Sequence, residues 1–165
     1  RFDGKKWRRG VVFISEIVPL PAISFIANSF YGEKYKTLPM RATRVLDQDI
    51  LSLQYSWRFR GSWQCMEVSA STTLKPLESV PGADFITNHF WGYSRRSSTL
   101  THEYHVSHPS WNLYPVVSAA VKCDFKNLYG DSFAFLKTQE PASIFLAQGS
   151  PVKIFHKSLI RSVAG

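Results

Sequence analysis

Leu51-Ser52-Leu53-Gln54-Tyr55-Ser56-Trp57-Arg58-Phe59-Arg60 is the stretch that decides the fold class. Leu51, Leu53, Tyr55, Trp57 and Phe59 alternate strictly with polar partners, a period of two over ten residues. Successive side chains of a strand point to opposite faces, so this pattern predicts a β-strand with one apolar and one wet face. Gly61 and Ser62 can turn the chain into a second strand around Trp63 to Ser71, which predicts an antiparallel hairpin.

Outward from the hairpin the signals are mostly of the same kind. Gly10 to Val18 is β-branched and aromatic and reads as a largely buried strand. Pro19 and Pro21 break it, and Pro21 can open a short helix. Ile23, Ile26, Ala27 and Phe30 then share one helical face, with Gly32 as the stop. Pro39 to Leu46 is a further strand candidate. A loop with Pro76, Pro81 and Gly82 precedes a short helical segment near Ala83 to Phe90. Trp91–Tyr93 and Thr99–Val106 read as strands around the turn Ser94-Arg95-Arg96-Ser97-Ser98. In the second of these, Leu100, His102, Tyr104 and Val106 lie on one face, and Thr101, Glu103 and His105 on the other. Pro115 to Phe125 is strand-like and Leu128 to Leu136 suits a short helix. Ile144–Ala147 and Val152–Phe155 close the chain as strands. Seven to nine strands, two or three short helices, no internal repeat and no linker predict one α+β domain over residues 1–165, mostly antiparallel β and barrel-like.

The composition agrees. Of 165 residues, 44% are hydrophobic and only 19% charged, which excludes intrinsic disorder. No apolar run approaches the ~20 residues of a membrane-spanning helix, and no signal-peptide pattern opens the chain. Arg1 stands where a Met would be expected, so the chain reads as N-terminally truncated or naturally short. Cys65 and Cys123 are far apart and match no metal spacing, so they read as buried free thiols in a reducing, cytoplasmic compartment. The net charge is +8, with Arg1, Lys5, Lys6, Arg8 and Arg9 crowded at the start. No helix-turn-helix or RRM signature accompanies these cations, so a solvated basic surface is favoured over a nucleic-acid site. A membrane-surface role lacks the basic amphipathic helix it needs.

Candidate chemistry is sparse. No G-x-S-x-G elbow, Walker loop or G-x-G-x-x-G is present, so neither hydrolase nor nucleotide chemistry is indicated. His102, His105 and His108 repeat every three residues, but a strand puts the first two on opposite faces, so no metal site is expected. His102 reads first as a satisfied core histidine, with a polar pocket group as the alternative. Lys34 and Lys36 follow the Pro21–Tyr31 helix. A lysine becomes a Schiff-base nucleophile when desolvation or a neighbouring cation lowers its pKa, whereas the ordinary reading is an exposed loop lysine. Trp57, Trp63, Trp91, Tyr93 and Trp111 could line an apolar pocket or simply fill a core.

Several stretches carry a family resemblance. Phe2-Asp3-Gly4-Lys5, Ala27-Asn28-Ser29-Phe30-Tyr31-Gly32-Glu33-Lys34-Tyr35, Asn88-His89-Phe90-Trp91-Gly92-Tyr93, Glu103-Tyr104-His105-Val106 with His108-Pro109 and Trp111, and Phe145 to Val152 occur in order along nearly the whole chain. The sequence resembles the uncharacterised YqjF-like family of the acetoacetate decarboxylase-like superfamily. That resemblance implies a closed, mostly antiparallel β-barrel around a central cavity, preceded in most members by a further N-terminal segment. A barrel without that segment would expose an edge that a homo-oligomer could cover. In true acetoacetate decarboxylase one lysine beside a second forms a Schiff base with a β-keto acid. Lys34 falls near that nucleophile's position, and Tyr35 stands where the second lysine would be. The resulting expectation is a barrel that encloses a small organic ligand, with a keto acid as one candidate, and needs no cofactor. Arg41, His89, Trp91, Tyr93, His102 and Trp111 are the expected ligand-binding residues and Lys34 the candidate catalytic one. Arg41 would pair with a carboxylate, and His89, Tyr93 and His102 would donate hydrogen bonds or move protons. A non-catalytic binding module needs only the aromatic residues and Arg41.

Overall fold

The computed structural model describes residues 7–161. In chain order, β1 (Glu16–Val18), α1 (Pro21–Ile26), β2 (Tyr35–Thr37), β3 (Met40–Asp47), β4 (Ile50–Phe59) and β5 (Ser62–Ser71) come first. They are followed by α2 (Ala83–Thr87), β6 (Trp91–Arg95), β7 (Leu100–Ser107), β8 (Leu113–Tyr114) and β9 (Val116–Lys122). The rest are α3 (Phe125–Tyr129), β10 (Leu146–Ala147), β11 (Lys153–Ile154) and β12 (Ser158–Arg161). The class is α+β, mostly antiparallel, with few helices. None of the sheets closes on itself among the described residues. No helix there is long and apolar enough to cross a membrane.

The chain forms two compact units, each assembled from separated segments. One holds Arg1–Thr37, Gly82–Ser110 and Gly149–Gly165; the other holds Leu38–Pro81 and Trp111–Gln148.

The second unit contains the hairpin. Its sheet runs β3-β4-β5-β9, antiparallel throughout. Phe59 pairs with Ser62, so Arg60 and Gly61 alone make the turn, at φ 48° and 82°. Two successive positive φ angles match the right-handed twist of the strands, and glycine adopts the second without strain. The expected wet and dry faces differ in detail. Leu51 and Trp57 are buried as predicted, but Tyr55 is 48% exposed and Ser56 is buried. Alternation fixes which residues share a face; what covers each part of it is set by the rest of the chain. Leu77, Leu113 and Leu128 complete this unit's apolar core with Ala70.

The first unit is built on β7. β6 pairs with it on one side, Gly92 opposite Tyr104 and Ser94 opposite His102. β12 and β11 pair on the other, Ser158 opposite Glu103 and Lys153 opposite Ser107. A parallel ladder joins β1 to β2.

The structure departs from the sequence expectations at several elements. The strand expected over Gly10–Val18 is reduced to Glu16–Val18, with Val12, Phe13 and Ile14 exposed. The helix at Pro21 forms and runs on as a π-helical turn, Ala27–Tyr31, ended by Gly32 at φ 71°. Its apolar residues Ile23, Ile26 and Phe30 face out, however, and Ser24 faces in. The Ser24 hydroxyl bonds the Pro21 carbonyl at 2.9 Å and the Thr37 hydroxyl at 2.5 Å, fastening the polar side of the helix to β2. The helix expected over Leu128–Leu136 is instead α3 followed by a 3-10 stretch, Asp131–Lys137, interrupted at Gly130 with φ 109°. β12 is a strand the sequence did not announce. Cys65 and Cys123 are free and half-buried rather than fully enclosed.

Candidate functional site

The two units differ in what they bury. Apart from Ala83 and Tyr104, the buried apolar side chains belong to the second unit. Ser24, Glu33, Ser94, His102 and Glu103 are buried in the first. A buried polar group is costly unless hydrogen-bonded, so such a cluster must be a network.

β7 makes the network possible because both of its faces are covered. His102, Glu103 and Tyr104 are 5%, 3% and 5% exposed, although they point to alternating sides. One face meets the end of the π-helical turn. The Tyr31 carbonyl accepts the Ser94 hydroxyl and lies 3.0 Å from His102 Nδ1. The Tyr31 ring packs edge-on against Tyr104, centroids 5.4 Å apart. Gly32 is required at this crossing, because a Cβ on its left-handed backbone would press on His102 Nδ1 and Ser94 Oγ. Glu33, 8% exposed, follows directly, and the Tyr104 hydroxyl donates to its Oε1 at 2.7 Å. Gly92 is the second obligatory glycine: a Cβ there would overlap the Tyr104 ring.

The other face of β7 carries Glu103. The Tyr93 hydroxyl donates to Glu103 Oε2 at 2.9 Å, and Arg8 Nη1 to Oε1 at 3.2 Å. The Arg8 guanidinium also lies over the Trp91 ring, 4.4 Å from its centroid.

The electrostatics separate the two carboxyls. Glu103 has a cation beside it. Glu33 has none as a direct partner among the described residues, and burial raises its pKa above the ordinary 4.5. The Tyr104 bond, His102 and Lys34 act against that rise, and Glu16 adds to it. Burial and the bond to Glu33 push the Tyr104 phenol far above its usual range, and burial with Glu16 does the same to Tyr35. These phenols are therefore fixed donors, and the buried Glu33 carboxyl accepts from one of them.

Above Glu33 lies an open surface depression of about 260 Å³, formed by residues 12–13, 32–34 and 94–97. Lys34 is exposed at its edge, as are Arg95 and Arg96. The Lys34 carbonyl accepts from Glu16 N at 3.3 Å and Ser15 Oγ at 2.9 Å, so the main chain beneath the ammonium is held by β1.

Of the residues expected from the sequence, Lys34, His89, Trp91, Tyr93 and His102 fall in the first unit. His102 and Tyr93 are in the network, on opposite faces of the β6–β7 ladder. Trp91 stacks near His105, centroids 5.0 Å apart. His89 caps its own turn, Nδ1 2.9 Å from the Ile86 carbonyl. Arg41 and Trp111 belong to the second unit. Arg41 lies over the Trp63 ring at 3.7 Å. His108 Nδ1 sits 2.9 Å from the Pro109 carbonyl. Among the described residues no three His, Cys, Asp or Glu side chains gather as a metal site.

Glu33, Glu103, Ser94 and Tyr104 were not singled out from the sequence. A charged residue between His102 and Tyr104 in a strand, and a glycine between Trp91 and Tyr93, were the available signals.

Fold and site define an α+β, mostly antiparallel protein with a buried carboxyl–phenol network under a basic rim. Residues 2–151 match the model of DUF2071, described as an uncharacterised conserved protein, and the chain belongs to that family. No curated protein and no solved structure matches it.

Proposed function

We propose that this chain is an acetoacetate decarboxylase-like protein that binds a small organic molecule in the depression above Glu33. One observation carries the reading. The stretches that bear the resemblance, Ala27–Tyr35, Asn88–Tyr93 and Glu103 to His108, are remote in sequence yet meet on β7, Tyr104 bonding Glu33 on one face and Tyr93 bonding Glu103 on the other. Binding sites place a few convergent polar groups beside apolar surface, and here Val12 and Phe13 provide that surface. The antiparallel ladders and few short helices are the elements from which the superfamily's barrel is built. The free thiols fit a reducing cytoplasm.

Exposure of the Lys34 ammonium favours the non-catalytic binding module, since an imine-forming lysine is normally activated by desolvation or a neighbouring cation. The catalytic alternative has Lys34 Nζ add to a ketone and expel water. The iminium would then take the electron pair of the C–CO₂ bond, releasing carbon dioxide and leaving an enamine to be protonated.

Borohydride trapping with acetoacetate and related keto acids, read by intact mass, separates the two. An adduct lost in Lys34→Ala establishes imine chemistry. No adduct with any keto acid removes Lys34 as nucleophile. Ligand-observed NMR with the same acids then tests the binding module: saturable binding supports it, and its absence sinks the reading.

A further inference from the structure

Glu33 lies in the floor of the depression, while Lys34, Arg95 and Arg96 line its edge. Arg95 Nε donates to the Ser97 carbonyl at 3.2 Å, bending that guanidinium over the β6–β7 turn. None of the three cations has a carboxylate partner within ion-pair distance among the described residues. The rim is thus an excess of positive charge over a buried carboxyl whose hydrogen-bond partner is the neutral Tyr104 phenol.

We propose that the depression is a proton-coupled oxyanion site, in which Lys34, Arg95 and Arg96 hold a small anion while Glu33 takes up a proton. This rests on the ligand-site reading above. Two negative charges in one depression repel each other. An anion seated on the rim shares the depression with the buried Glu33 carboxyl, where desolvation already disfavours the charged form and a second negative charge repels it further. Protonation of Glu33 removes the conflict and leaves a hydroxyl able to donate toward the ligand. Tyr104 can still donate to the carbonyl oxygen of the neutral acid, so the network survives the change.

The groups facing Glu33 set the sign. Glu16 on β1, which also engages Tyr35 on β2, repels it; His102 on β7 and Lys34 attract it; Tyr104 on β7 bonds it. A ligand anion adds to the side of Glu16. The bound state therefore holds more protons than the free one, and affinity falls as pH rises through the window between the two Glu33 pKa values. One proton exchanged gives at most about a tenfold loss per pH unit.

The test titrates the full chain with methanesulfonate and with sulfate between pH 4.5 and 8, followed by NMR. Both probes stay fully ionised over that range, and they stand for monoanionic carboxylates and for dianionic phosphates. Acetone serves as the neutral control. The expected result is saturable anion binding that weakens with pH, accompanied by a shift of the Glu33 side-chain carbonyl signal toward the protonated form. Glu33→Gln should bind at high pH as the wild type does at low pH, with the slope gone. Arg96→Ala and Lys34→Ala should each weaken binding several-fold and keep the slope. A slope that persists in Glu33→Gln assigns the proton elsewhere, His102 first, and overturns the proposal. Acetone binding as well as the anions would overturn it while leaving the ligand site standing. If neither anions nor acetone bind, both the proposal and the site reading fail.

Discussion

Tyr104→Phe removes a single hydroxyl and keeps the ring that packs between Gly92 and Tyr31. What is lost is the 2.7 Å bond to Glu33, a side chain only 8% exposed. A hydrogen bond to a charged group contributes about 1.5–3 kcal/mol and one between neutral groups about 0.5–1.5 kcal/mol. The cost of the substitution should therefore depend on the state of Glu33. Burial raises the Glu33 pKa above 4.5, so between that value and the folded-state pKa the native state holds a proton that the unfolded chain has released. Stability accordingly falls as pH rises through this window and is level above it. The Tyr104 bond favours the charged carboxylate, and without it the folded pKa climbs further, extending the window upward. The expected loss is about 1 kcal/mol at pH 4 and about 2–3 kcal/mol at pH 8. Urea titrations at pH 4, 6 and 8, with hydrogen exchange of the β6–β7 amides to report on this unit alone, measure both. Equal losses at pH 4 and pH 8 would refute the reasoning, because Glu33 would then not be the titrating acceptor. As a control, Glu33→Gln should flatten the wild-type pH dependence over the same range.

Gly92→Ala forces a Cβ into the Tyr104 ring, and the overpacking should cost about 3 kcal/mol in the same urea titrations. A loss below about 0.5 kcal/mol would mean that β6 is not held against that ring. Arg8→Met removes a cation from beside Glu103, which is 3% exposed; weakening the pairing of this buried carboxylate should cost about 2–3 kcal/mol. Adding Glu103→Gln to that variant should recover part of the loss, and additive losses would deny the coupling. The Cys123 thiol is pushed up to about 11 by burial, with Asp124 beside it. Since only the thiolate reacts, its alkylation at pH 8 should run about a hundredfold slower than that of a free cysteine and quicken about tenfold per pH unit. Reaction at the free rate would show that the half-buried Cys123 thiol is not desolvated.

The β4–β5 hairpin was legible because its cause is local. Ten alternating residues and a glycine at the turn suffice to specify two strands and their register. The helix at Pro21 and its stop at Gly32 were legible for the same reason. Its orientation was not: Phe30 is 57% exposed, and the Ser24 hydroxyl docks the helix through its polar edge. His102 illustrates the middle ground. Its place on a strand followed from spacing, but its choice between core and pocket depended on the Tyr31 carbonyl, seventy-one positions away. Arg41 and Trp111 lie in the second unit; they were named by residue type, which carries no information about long-range pairing.

By itself, then, the sequence determined the elements: a strand-rich α+β chain with obligatory glycines at its turns, a basic balance and family motifs in order. These follow from backbone sterics and side-chain periodicity over a few residues. The tertiary structure alone decided where the chemistry sits. Glu33 and Glu103 look like ordinary solvated charges in the sequence, one beside a lysine and one inside an alternating strand. Their burial exists only because β7 is covered on both faces, by the turn at Tyr31–Glu33 and by the segment that carries Arg8. The energy of a buried carboxyl is set by the partners brought to it from distant segments, Tyr104 for one and Tyr93 with Arg8 for the other, and no local pattern encodes those meetings.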